Sequence, residues 1–309
     1  MEYKYKAVAH SDIGIRKHIN EDSAMIQIAE TDYGQILLAL ICDGMGGLSK
    51  GEVASATVIR GFSNWFQERL PKILHDLVEV RDNSKSLSTA VISSLQENKS
   101  KKLELIKEEW NQLLVEMNRK ISQYGKLHHI QLGTTAVVLL IIQDTYYLMN
   151  IGDSRAYLIQ NLITNQETIQ KTTSIIKRKI NHTVHQNKNQ ITQLTKDHTY
   201  IQHEMDKGRM TYEESLKNRK RNCLTQCIGI NSDFSCNYYL GNIVKGSEFL
   251  LCSDGFRNVI TKEEIYQYIK LKKRCDERDM MKVLVSLVEL NKKRKEIDNI
   301  TAVLIAVQS

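Results

Sequence analysis

At 309 residues, with 41% hydrophobic and 26% charged side chains, the chain can build one large domain or two small ones and reads as soluble and globular. No apolar run approaches the ~20 residues that span a bilayer, and no basic stretch leads into an apolar core at the N-terminus, so the expected compartment is the cytoplasm, away from membranes. A formal charge of +7 at pH 7 suggests nucleic acid, but the basic residues gather in two polar segments, 171–188 and 217–221, without aromatic interleaving or a DNA-binding pattern; nucleic acid is not an expected partner.

Six cysteines are too sparse for a disulfide scaffold. Cys42 and Cys252 lie inside apolar runs and read as small core residues, which argues against a reactive thiolate. Cys223, Cys227 and Cys236 complete no CxxC pair, so no thiolate metal site is expected.

In chain order, the first strong strand signal is 36–42, an apolar run ending at Asp43 in "LICDGMGG". A helix is expected over 51–70, ending at Pro71, the only proline. Leu103, Ile106, Trp110, Leu113, Met117 and Ile121 recur at spacings of three and four and predict a helix with one buried stripe. Strands follow at 135–142, 146–151 and 156–160, then a polar segment at 160–190 that reads as a surface insertion. The remaining elements are a strand at 248–252, helices near 262–271 and 280–290, and a strand at 300–307. Strands 135–142 and 146–151 are joined too closely for a parallel crossover. The expected class is therefore α+β, antiparallel sheet with helices packed outside.

The chemistry gathers where these strands end. Asp43 and Asp254 each close an apolar run in matching Asp-Gly settings, "LLALICDG" and "EFLLCSDG". Asp153 lies just past a third strand and Asp298 just before a fourth. One Asp-Gly after a strand is ordinarily a turn. Four aspartates at strand ends, brought together, would repel one another unless cations neutralised them, and Mg²⁺ and Mn²⁺ prefer such oxygen ligands. A glycine beside Asp43 leaves a backbone carbonyl accessible to such an ion.

Seven segments, "SDIGIRKHINEDS" (11–23), "DGMGG…GE" (43–52), "GTTAVV" (133–138), "IGDSRAYLI" (151–159), "LTKDHT" (194–199), "CSDGFRNVI" (252–260) and "DNITAVLI" (298–305), occur in an order that resembles the metal-dependent protein phosphatase family, or protein phosphatase 2C, in its bacterial form. The resemblance implies a central β-sandwich of two antiparallel sheets flanked by helices on both sides, one phosphatase domain over 1–309 with the insertion near 160–190 and a flap near 199–229. It implies a protein serine/threonine phosphatase using two Mn²⁺ or Mg²⁺ ions, with a weaker third possible, in which a metal-bridging hydroxide displaces the serine or threonine oxygen directly. Asp43 would bridge the two ions, the Gly44 carbonyl would ligate one, Asp254 and Asp298 would complete the other, and Asp22 would hold metal-bound water. Asp153 would pair with Asp254 for the third ion. The implied partners are phosphorylated proteins made by a cognate serine/threonine kinase, and the implied state is monomeric.

Two positions depart from the family pattern. Lys17 stands where an arginine usually binds the substrate phosphate, so phosphate falls to Lys17, or to Arg16 beside it, without a bidentate fork. Leu48 stands where bacterial members often carry a histidine, proposed there as proton donor to the leaving group. These departures motivate an alternative, a weak or inactive pseudophosphatase that binds phosphoproteins. The basic run of the flap fits attraction of acidic, phosphorylated surfaces or simply a solvated face, and His198, in the family's "LTxDH" setting, reads as a structural hydrogen-bonding residue.

Overall fold

The structure, a computed structural model, describes residues 3–46, 50–75, 90–160, 191–230, 233–271 and 276–308. The insertion near 160–190 and the departure at Leu48 therefore fall almost wholly outside the described residues.

Two five-stranded sheets face each other. One has the order β1 (Lys4–Asp12), β12 (Ile300–Gln308), β11 (Glu248–Cys252), β8 (Arg155–Ile159), β9 (Ile191–Gln193). The other runs β10 (Asn237–Asn242), β7 (Thr145–Ile151), β6 (Ala136–Ile142), β3 (Gly34–Cys42), β2 (Ser23–Thr31). Every described pairing is antiparallel. A short pair, β4 (Gly44–Gly46) with β5 (Leu132–Thr134), extends the second sheet's end.

Central strands are buried on both faces, so their side chains divide by parity. On β3, Leu37, Ala39 and Ile41 face the opposite sheet, while Ile36, Leu38, Leu40 and Cys42 face helices. On β12, Val303, Ile305 and Val307 point between the sheets, and Ala302 and Leu304 point outward. Helices α1 (Gly51–Asn64) and α2 (Ala90–His128) cover the second sheet through Val58, Phe62 and Trp110. Helices α6 (Lys262–Leu271) and α7 (Glu277–Lys293) cover the first through Ile265, Val283 and Leu287. The four layers αββα are those the sequence led us to expect.

Several details differ from expectation. Pro71 does not end its helix: helical backbone continues through 75, and Leu70 and Ile73 join the core. A π-helical turn at Trp65–Arg69 comes just before the proline, with the Leu70 N–H donating to the Trp65 carbonyl. Such a wide turn accommodates the missing donor and the ring that would otherwise break the ladder. On α2 the buried stripe runs through Leu114, beside Ile106, Trp110, Met117 and Ile121, and Leu113 packs only at the rim. Outer strands β1, β2 and β10 are not among the expected strands, because their side chains are mostly half-buried and carry no run of apolar residues.

Candidate metal centre

The loops at one end of the sandwich converge. Asp43 leaves β3, Asp254 opens the short helix α5 (Asp254–Arg257) after β11, Asp298 precedes β12, Asp153 lies between β7 and β8, and Asp22 precedes β2. The five carboxylates feel one another. Burial, and then the charges of Asp22, Asp254, Asp153 and Asp298, push the Asp43 carboxyl well above the usual carboxylate range. Asp22 is pushed up to about 7, by burial first, with Asp254 and Asp298 adding to it and hydrogen bonds from Thr301 and Ser253 opposing it. Asp153 is also pushed up to about 7, by burial and by Asp254, against the pull of Arg257.

Backbone and side-chain hydrogen bonds hold this convergence rigid. The Asp43 N–H donates to Thr135 Oγ1 at 2.9 Å, and the Asp43 carbonyl accepts from the Thr135 N–H at 2.9 Å and from Thr134 Oγ1 at 3.0 Å. Ser253 Oγ donates to Asp22 Oδ2 at 2.9 Å, joining the loop before β2 to the end of β11. Gly44 and Gly51 cross backbone to backbone: a Cβ on Gly44 would collide with the carbonyls of Gly51 and Glu21. Close packing of three chain segments thus requires glycine there, beyond any access to its carbonyl.

Glu21 and Asn299, neighbours of Asp22 and Asp298 outside the expected ligand set, tie these loops together. The Glu21 carboxylate accepts from the Gly51 N–H at 2.9 Å, its carbonyl accepts from the Gly44 N–H at 3.2 Å and from Ser55 Oγ at 2.6 Å, and its own N–H donates to Asn299 Oδ1 at 2.9 Å. Asn299 Nδ2 donates to the carbonyls of Ile13 and Ile19 at 3.0 and 3.1 Å. Their only sequence signal is adjacency to motif aspartates.

Lys17 enters the cluster directly. Its ammonium lies 2.8 Å from Asp298 Oδ1 and 3.8 Å from Glu21 Oε2. Partial burial pulls its pKa down, but the hydrogen bond and charge of Asp298, with Glu21 and Asp43, outweigh this and hold it above the ordinary lysine value. Arg16 is exposed and makes no ion pair among the described residues. His198 ties the Asp153 loop: its Nδ1 accepts from the Gly152 N–H at 3.2 Å and its backbone N–H donates to the Gly152 carbonyl at 2.9 Å. Burial lowers its pKa, which keeps the accepting nitrogen free of a proton. The flap carries α3 (Tyr200–Asp206) and α4 (Tyr212–Lys217), presents Lys207, Arg209, Lys217, Arg219, Lys220 and Arg221 to solvent, and returns through an Ile228–Thr134 bridge beside Asp43.

The chemistry of this donor set suits hard divalent cations. It is all oxygen, repelled by its own charge, and lacks a thiolate: burial pushes Cys42 and Cys252 above the ordinary thiol value. Among the described residues no three acidic, histidine or cysteine side chains close around one point. Any ion here would draw on one or two carboxylates, a carbonyl and water, as Mg²⁺ and Mn²⁺ commonly do.

The family profile described as Protein phosphatase 2C matches residues 15–289. The chain is 24% identical over 298 residues to a serine/threonine phosphatase, stp, of Listeria monocytogenes, covering 96% of this chain and 93% of that protein. The crystal structure of the serine/threonine phosphatase Stp1 from Staphylococcus aureus superposes with a TM-score of 0.67 at 23% identity, covering 100% of this chain and 98% of the other. The catalytic domain of a serine/threonine protein phosphatase, PstP, solved with two manganese ions, superposes with a TM-score of 0.63 at 22% identity, covering 99% and 100%.

Proposed function

The chain belongs to the protein phosphatase 2C family, and from that premise we propose that it is a divalent-metal-dependent protein phosphatase hydrolysing phosphoserine and phosphothreonine. The observation that carries the reading is the set of mutually repelling carboxylates at one end of the sandwich, which a pair of cations would neutralise. Asp43 and the Gly44 carbonyl, with Asp254 and Asp298, are the groups that would hold Mn²⁺ or Mg²⁺, and Asp22 would orient water beside them. When bound, a pair of such ions supplies an activated water and neutralises charge on the attacked phosphoryl group. The protein's own part is to fix the Asp43 backbone through Thr134 and Thr135, the start of α1 through Glu21 and the Asp22 carboxylate through Ser253, so that little reorganisation is left to the reaction. Asp153, which the resemblance pairs with Asp254 for a third ion, carries its own arginine, and two ions are proposed.

Lys17 is the group proposed to hold the substrate phosphate, since it already stands among these carboxylates while Arg16 points to solvent. Lys17→Met should lower kcat/KM by about 10- to 100-fold, as expected for a charge-assisted hydrogen bond. Lys17→Arg should recover most of that loss, and Mn²⁺ affinity should not fall in either variant, because a competing cation beside Asp298 is removed or merely exchanged. Steady-state kinetics with a parallel Mn²⁺ titration check this; a Lys17→Met enzyme with unchanged kcat/KM excludes the role.

We read the chain as one phosphatase domain acting as a monomer in the cytoplasm on proteins phosphorylated by a serine/threonine kinase. No helix among the described residues is long and apolar enough to cross a membrane. The basic flap supports acidic phosphoprotein surfaces as substrates. The direct test is phosphate release from a phosphothreonine peptide. Turnover is expected with Mn²⁺ or Mg²⁺ and should stop when the metal is chelated; release indifferent to chelation overturns the reading.

A further inference from the structure

Arg257 lies three residues after Asp254, and its side chain is only 13% exposed. Its Nη2 donates to the Asp153 carbonyl at 2.8 Å and stands 3.6 Å from Asp153 Oδ2 and 3.6 Å from Asp197 Oδ2. Asp197 already has its own arginine. Arg155 grips it as a fork, Nε to Oδ1 at 2.8 Å and Nη2 to Oδ2 at 2.7 Å. With Asp197 so paired, Arg257 is the cation left for Asp153.

Hydrogen bonding alone does not account for this guanidinium. Its Nε is buried and has no partner among the described residues, an arrangement that costs stability. What the side chain brings to the pocket is a positive charge, and a permanent one, since arginine does not lose its proton in proteins. A divalent ion between Asp153 and Asp254 needs the full negative charge of both carboxylates. Here one of them is cancelled from within 4 Å, in surroundings where charges are weakly screened.

We propose that Arg257 is the resident cation of the Asp153 carboxylate and excludes a third divalent ion from the space between Asp153 and Asp254, so that this chain works with two. The proposal rests on the two-ion reading of Asp43, Asp254 and Asp298 given above. It assigns Asp153 to an internal ion pair and gives Arg257 a positioning part, holding the β7–β8 loop by the Asp153 carbonyl.

The test is calorimetric titration of the metal-free 309-residue chain with MnCl₂. Wild type is expected to take up two ions, and Asp153→Asn to take up the same two with affinities within about twofold. Arg257→Gln, which keeps a donor for the Asp153 carbonyl but no charge, should bind a third ion at least about tenfold more tightly than any residual third binding in wild type. That ion should vanish in the Arg257→Gln/Asp153→Asn double variant, and Arg257→Lys should stay at two. A third ion in wild type that Asp153→Asn removes overturns the proposal, as does a folded Arg257→Gln that still binds only two. Should Arg257→Gln fail to fold by circular dichroism, the wild-type and Asp153→Asn pair decides alone. Wild type that binds no manganese overturns the two-ion reading together with this inference, whereas a third ion overturns only the inference.

Discussion

Asp254→Asn should abolish metal-dependent turnover and yet leave a metal-free protein more stable than wild type. The first effect follows from the proposed ligand role. Preorganised groups that stabilise developing charge are worth about 10²–10³ in kcat, and losing one that also holds a metal should cost on the order of 10³ or more. The second follows from position. The charge of Asp254 raises the carboxyl pKa of Asp22, Asp43 and Asp153 alike, so it is the shared source of repulsion in the cluster. An amide of nearly the same shape removes that repulsion without opening a cavity. Kinetics and thermal melts in chelator check both halves; a variant that turns over, or one that melts below wild type without metal, contradicts the assignment.

The stability of the metal-free protein should fall as pH rises from about 4 to about 7, against the usual behaviour of surface carboxylates. The Asp22 carboxyl is pushed up to about 7 in the folded chain, from 3.8 unfolded, and the Asp43 carboxyl is raised well above that ordinary value too. Between those values the folded state holds more protons than the unfolded one, so stability falls as pH climbs, and the contribution of these protonated carboxyls is lost as pH passes their folded values. Shared repulsion makes the combined loss smaller than two independent groups would give, and a fall in Tm on the order of 5–10 °C is expected. Mn²⁺ should restore it most at pH 7 and above, where the carboxylates are ionised and no longer compete for protons. Differential scanning calorimetry with and without Mn²⁺ from pH 4.5 to 8 reads this out; a metal-free Tm that rises steadily toward pH 7 runs against the account.

The parts of the fold and site legible in the sequence are those written locally. Buried central strands appear as unbroken apolar runs, and an aspartate that ends such a run is conspicuous, which is how Asp43 and Asp254 stood out. The stripe on α2 could be read from its spacing, to within the choice of Leu113 or Leu114 as the inward residue. The seven motifs in family order supplied the two-sheet arrangement, which periodicity alone does not give. Other parts had no local signature. Strands β1, β2 and β10 are half-buried and their sequences alternate weakly, so only their pairing registers identify them as strands. Glu21 and Asn299 hold the centre together across 278 residues of chain, a relation no spacing rule encodes. The Arg155–Asp197–Arg257–Asp153 cluster joins three separate segments in the same way. Pro71 misled for an opposite reason: a strong local rule was overridden by a π-helical turn and by core packing of the residues beyond it.

The central claim is that these strand-end carboxylates form a working two-metal hydrolytic site, and the most direct test measures manganese content and phosphothreonine-peptide turnover on the same sample. The account predicts two ions per chain and turnover that rises and saturates with their occupancy. A protein that holds two ions without releasing phosphate would contradict it, and would be a phosphoprotein-binding pseudophosphatase instead.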